Sequence, residues 1–113
     1  MAGMNKFCVL GRLTREPELA YTKAKMAYSR ITIAVDRKFK AGGEEKKDTF
    51  FINATAWGGK AEFINEYATK GMLVYAEGPL STNRWEDKEG NKREGITMMI
   101  DDIQLCEKTK KGE

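Results

Sequence analysis

A single segment of this chain repeats its apolar residues at helical spacing, and segments that alternate with a period of two enclose it on both sides. Between Lys60 and Thr69, the residues Phe63, Ile64, Tyr67 and Ala68 return every three to four positions, and Gly71 supplies a stop. Before it, Ala27 to Val35 alternates, with Ile31, Ile33 and Val35 on one side and Arg30, Thr32 and Ala34 on the other. Thr49 to Trp57 alternates too, placing Phe51, Asn53, Thr55 and Trp57 on one side and Phe50, Ile52, Ala54 and Ala56 on the other. Lys6 to Leu13 is a further strand, interrupted by Gly11, which marks a bulge or a close backbone approach. Arg15 to Ala20, with Pro17, reads as a loop, and Ala41 to Asp48 as a polar hairpin loop. After the helix come a strand from Met72 to Ala76, a hairpin of Leu80–Glu86 and Arg93–Ile100 around a polar tip, and a closing run from Ile103 to Cys106.

Three strands, one helix and two or three more strands predict an all-β domain with one short helix. The order fits a five-stranded Greek-key barrel with long β-hairpins, the helix capping one end between the third and fourth strands. That is the order of the OB-fold, which commonly binds oligonucleotides or oligosaccharides across one face. Helix residues Phe63, Ile64 and Tyr67 are expected to plug the barrel. The 113 residues suit one domain, here residues 4–106. Residues 1–3 read as a flexible leader or an expression remnant, and 107–113 as a disordered charged end. Cys8 and Cys106 sit in apolar runs and read as buried, reduced small hydrophobes, the alternative being a disulfide between the terminal strands. With no apolar run of membrane-spanning length and no signal peptide, a cytoplasmic protein without a membrane partner is expected.

Composition excludes much catalysis. The chain contains no His, and so no histidine base, Ser-His-Asp triad or histidine metal ligand; its two Cys cannot build a four-thiolate zinc site. Gly58-Gly59-Lys60 resembles the end of a phosphate-binding loop, but Ala54 and Ala61 stand where that loop needs Gly and Ser/Thr. Asp101 and Asp102 are neighbours on a strand and point to opposite sides. No enzyme, cofactor or metal is expected.

The informative set is aromatic residues interleaved with cations. Arg37-Lys38-Phe39-Lys40 and Asn83-Arg84-Trp85 carry the pattern, and Phe51 and Trp57 share a side with small polar residues. The formal charge of +3 is concentrated early, with 12 Lys/Arg against 6 Asp/Glu in residues 1–60, then 8 against 11. Unpaired bases stack on such rings for about 1–3 kcal/mol each, and cations meet the phosphates. The same pattern also fits ordinary packing or another ligand of a barrel of this kind.

Ordered stretches then carry a resemblance. They are Met4-Asn5-Lys6 with Val9-Leu10-Gly11-Arg12-Leu13, Pro17-Glu18-Leu19-Ala20-Tyr21, Ile31-Thr32-Ile33-Ala34-Val35, Trp57-Gly58 with Ala61-Glu62, Tyr67 with Lys70-Gly71, Val74-Tyr75-Ala76-Glu77-Gly78, and Leu80-Ser81-Thr82-Asn83-Arg84-Trp85. In this order they resemble the bacterial single-stranded DNA-binding protein family. The resemblance implies sequence-independent binding and protection of single-stranded DNA in replication, recombination and repair, by a homotetramer in the bacterial cytoplasm at the nucleoid. It puts base stacking on Phe39, Phe51, Trp57 and Trp85 and phosphate contacts on Lys70, Arg84 and Arg93. Lys40, beside Phe39, is added to them. Asn53 and Gly59 stand where basic residues often sit in the family, with Lys60 compensating for the second, and Ile52 replaces a polar residue of the subunit interface. The family's acidic tail, which recruits replication and repair proteins, has no counterpart in these residues, so tail-mediated partners are not expected. The rival reading is an OB-fold protein-interaction module of the primosome type.

Overall fold

The computed structural model describes residues 3–108. Eight strands and one helix follow in the order β1 (Phe7–Leu13), β2 (Glu18–Tyr21), β3 (Ala27–Ala41), β4 (Glu44–Trp57), α1 (Gly59–Tyr67), β5 (Leu73–Gly78), β6 (Leu80–Glu86), β7 (Lys92–Met99) and β8 (Asp102–Leu105). They form one sheet ordered β6-β7-β4-β3-β1-β5-β8, with β2 laid along β3. All pairings are antiparallel except β4 with β7.

The ladder is open, not the closed five-stranded barrel expected. β6 and β8 are its two ends, although β5 runs into β6 across Pro79 alone. Pro79 has no N–H to give a ladder, so regular pairing breaks there. The Met99 N–H still donates to the Pro79 carbonyl, and the Asp101 N–H to the Glu77 carbonyl, tying the end of β7 to this crossover.

The segment expected as a loop from Ala41 to Asp48 is the tip of one long hairpin. β3 and β4 pair without interruption from Tyr28↔Trp57 to Ala41↔Glu44. Gly42 and Gly43 both take positive φ, 60° and 82°, as a two-residue turn matched to strand twist requires. Residues past Val35 look too polar for a strand because this part of the hairpin extends beyond the core. The radius of gyration, 16.2 Å, exceeds the roughly 13 Å of a compact domain this long. Residues 18–20, expected within a loop, belong instead to the edge strand β2, which starts directly after Pro17, where the missing N–H costs nothing.

Core residues follow strand parity. Ile31 and Ile33 on β3, Ile52, Ala54 and Ala56 on β4, Val9 and Leu13 on β1, Val74 and Ala76 on β5 and Met98 on β7 are buried together. Gly11 is a close approach: a Cβ there would lie 2.4 Å from the Ala34 carbonyl oxygen, so only glycine lets β1 and β3 meet. The helix seals this core with Ile64, as expected, but with Ala61 and the following Ala68 in place of Phe63. Phe63 is 40% exposed and its ring packs at 5.3 Å on Tyr67 along the outer side. Both cysteines are exposed and free, against the expectation of burial. On β1 the odd residues point inward, and Cys8 is even. Cys106 pairs by its N–H with the Leu73 carbonyl, four residues along β5 from Glu77, the partner of Cys8, so the two thiols are too far apart for a disulfide.

Residues 1–2 and 109–113, within the expected leader and charged end, lie outside the described residues. Glu107 is anchored. Its carboxylate accepts from the Arg12 guanidinium at 3.0 Å and from the Leu73 N–H at 3.0 Å, and these donors hold it below the usual carboxylate range, the Leu73 N–H foremost.

Candidate nucleic-acid interface

Residues opposite one another in a ladder point to the same side of a sheet. The register therefore divides the candidates between two faces. Tyr28, Arg30, Thr32 and Ala34 on β3 share a side with Trp57, Thr55, Asn53 and Phe51 on β4. The parallel pairing Asn53↔Thr97 carries this face onto β7, and Ser81↔Thr97, Asn83↔Gly95 and Trp85↔Arg93 carry it onto β6. Three of the four expected stacking residues, Phe51, Trp57 and Trp85, thus lie on one face, and they are 61%, 41% and 50% exposed.

A groove of about 630 Å³ crosses this face. Trp57 and Tyr28 line it as a tilted pair with ring centroids 5.4 Å apart, and the Arg30 guanidinium lies 5.6 Å from the Tyr28 centroid. Arg15 lines it from the loop before β2, and Thr32, Asn53, Asn83 and Thr97 from the strands. The pair offers flat π surface beside cations, with hydrogen-bonding side chains alongside.

Trp85 has its own support. A Cβ on Gly95 would lie 3.3 Å from Trp85 Cζ3, so the indole lies across the bare backbone of the neighbouring strand. A side chain at Gly95 would displace it.

Phe39 falls on the other side, paired with Lys46 and in phase with Ile31 and Ile33. Its ring is covered by Arg37, whose guanidinium carbon is 4.6 Å from the centroid. The expected phosphate contacts also divide. Lys40 belongs to the groove face, opposite Glu45. Arg93 does too, but its Nε donates to Asp87 at 2.9 Å. Arg84 points to the opposite side, 3.7 Å from Glu94. Lys60 at the start of α1 and Lys70 after its end are exposed but do not line the groove; the Lys70 N–H donates to the Glu16 carboxylate.

Tyr28, Arg30 and Arg15 are missing from the sequence-based set. The alternation that grouped Arg30 with Thr32 and Ala34 extends back to Tyr28, so the signal for two of them was present. Arg15 carried none, because its place depends on how the β1–β2 loop returns.

Strand order, capping helix and one-sided groove define an OB-fold with its ligand-binding face open. At 18% identity the chain superposes on a solved Plasmodium falciparum SSB in complex with ssDNA with a TM-score of 0.87, covering 95% of this chain and 98% of that one, a likeness of fold. Residues 4–106 match the Single-strand binding protein family, and the chain belongs to that family. It is 37% identical over 105 residues to the single-stranded DNA-binding protein of Treponema pallidum, covering 93% of this chain and 59% of that protein. It is 40% identical over 111 residues to that of Fusobacterium nucleatum, covering 96% and 71%. No helix among the described residues is long and apolar enough to cross a membrane.

Proposed function

We propose that this chain binds single-stranded DNA along the groove face without strong sequence preference, protecting it during replication, recombination and repair. The observation that carries the reading is the Trp57–Tyr28 pair in a groove flanked by Arg30 and Arg15. Unpaired bases expose π faces that such rings accept, and stacking alone reads no base edge. Trp57, Phe51 and Trp85 are the stacking residues. Arg15, Arg30 and Lys40 meet phosphates, and Arg93 joins them when Asp87 releases it. The reaction is binding, with no bond made or broken. A homotetramer working in the bacterial cytoplasm, at the nucleoid, is part of the same proposal; the relatives support its bacterial setting alone.

The test is tryptophan fluorescence titrated with oligo(dT). Strong quenching at low salt, relieved as salt rises, is expected. A folded protein with unquenched fluorescence at low salt rules the reading out. Light scattering with and without oligo(dT) tests the tetramer; a monomeric mass in both states overturns it.

A further inference from the structure

A polar row crosses the groove face between its aromatics. Thr32, Asn53, Thr97 and Ser81 stand opposite one another on β3, β4, β7 and β6, and Asn83 is two residues beyond Ser81. The Thr32 hydroxyl donates to Asn53 Oδ1 at 2.8 Å, and the Thr97 hydroxyl donates to Asn83 Oδ1 at 2.9 Å. Each amide is thereby oriented, its oxygen occupied by a threonine and its NH₂ left to donate elsewhere. Among the described residues neither NH₂ has a protein acceptor, and both asparagines line the groove, exposed.

Placement relative to the rings repeats on both strands. Phe51 lies two residues before Asn53 on β4, and Trp85 two residues after Asn83 on β6. β6 is antiparallel to β7, and β7 is parallel to β4, so the two aromatics lie to the same side of the row. Each ring is about 7 Å along the strand from its amide. A base stacked on either ring extends its edge toward an oriented NH₂. Neutral donors of this kind complement the exocyclic carbonyls of thymine, cytosine and guanine. Adenine offers ring nitrogens only, and with its oxygen engaged by a threonine the amide cannot also accept from the adenine N6 amine, the second half of the bidentate pairing that favours that base.

We propose that Asn53 and Asn83 form a base-edge subsite that takes carbonyl-bearing bases, adding a hydrogen-bonded preference to the stacking. Thr32 and Thr97 are its positioning residues. The inference rests on the single-stranded DNA reading above and sharpens it. The same donors would also suit a phosphate oxygen, and the experiment separates the two sources.

The wild type, Asn53→Leu, Asn83→Leu and Thr97→Val are titrated with oligo(dT), oligo(dA) and an abasic deoxyribose-phosphate oligomer at one salt concentration. Thermal melting monitors the fold, which substitutions at exposed positions leave intact. Each leucine variant is expected to lose about three- to tenfold on oligo(dT), and less than about twofold on oligo(dA) and the abasic strand. Thr97→Val should lose part of the same base-dependent increment while its abasic binding stays unchanged. Equal losses on all three strands would make the amides phosphate contacts and overturn the subsite, as would unchanged binding to oligo(dT). Wild-type protein that binds none of the strands defeats the underlying DNA reading instead, so the two failures are distinguishable.

Discussion

Trp57 and Phe39 belong to the same hairpin, and its two faces use an aromatic ring in opposite ways. On the groove face Trp57 pairs with Tyr28, whose ring carries Arg30, and the Trp57 ring itself stays 41% exposed to a ligand. On the other face the root of the hairpin is core, with Ile33 opposite Ile52, and the same row continues outward past the core to Arg37 and Phe39. There the Phe39 ring already has a cation over it. Both residues look alike in sequence, an aromatic near a strand end. Strand parity, counted through an uninterrupted fourteen-pair ladder, separates them.

The largest test of this contrast is on the core side. Ile33→Ala removes a fully buried side chain and should cost about 2–5 kcal/mol in denaturant unfolding, whereas Phe39→Ala, on the same row but beyond the core, should change stability little. Comparable losses would mean that the outer hairpin packs as the root does. Next comes binding. Trp57→Ala should weaken oligo(dT) binding by about 1–3 kcal/mol with the fold intact, and Phe39→Ala by clearly less. Equal effects would show that DNA reaches both faces. Gly95→Ala is a milder probe. Its methyl displaces the Trp85 indole, so a shifted Trp emission and a loss smaller than that of Trp57→Ala are expected.

Charge gives the smaller differences. Arg30→Ala should reduce the dependence of log affinity on log salt by about 0.7, and Arg84→Ala by less, since Arg84 faces away and pairs with Glu94. Asp87 lies at the boundary of the comparison. Arg93 foremost, then the Asn91 N–H, hold its carboxyl below the usual range. A lowered carboxylate contributes order that is present above its unfolded pKa and lost as pH falls through the folded value. Amide protection at residues 87–93, taken relative to the intrinsic exchange rate at each pH, should therefore fall in acid. Asp87→Asn, at neutral pH, frees Arg93 and should steepen the salt dependence by up to about 0.7; an unchanged slope would show that Arg93 never meets the backbone.

Much of this was legible in the chain. The face of Phe51, Asn53, Thr55 and Trp57 follows from alternation, because a half-buried strand records its two sides in the residues themselves. The helix is legible for the same reason, and so is its inward Ile64, but not Ala61. Size does not mark the inward side: the small Ala61 is buried, and the larger Phe63 is 40% exposed. Cys8 was misplaced because a continuous apolar run does not reveal which parity points inward. Arg84 and Trp85 are adjacent, so a strand had to send them to opposite sides; grouping them by proximity missed that.

By itself the sequence determined the helix, the strands other than β2 and the outer part of the β3–β4 hairpin, their order, and the presence of aromatics and cations in strands, since these depend on local periodicity and residue chemistry. Tertiary structure decided which of them converge. Register across β3, β4, β7 and β6 gathered Tyr28, Trp57, Phe51 and Trp85 and excluded Phe39. It also aligned Thr32 with Asn53 and brought Thr97 to Asn83, contacts between residues 21 and 14 positions apart in the chain. Local pattern cannot encode such pairings, because a shift of one residue in register would preserve every period and reverse every face.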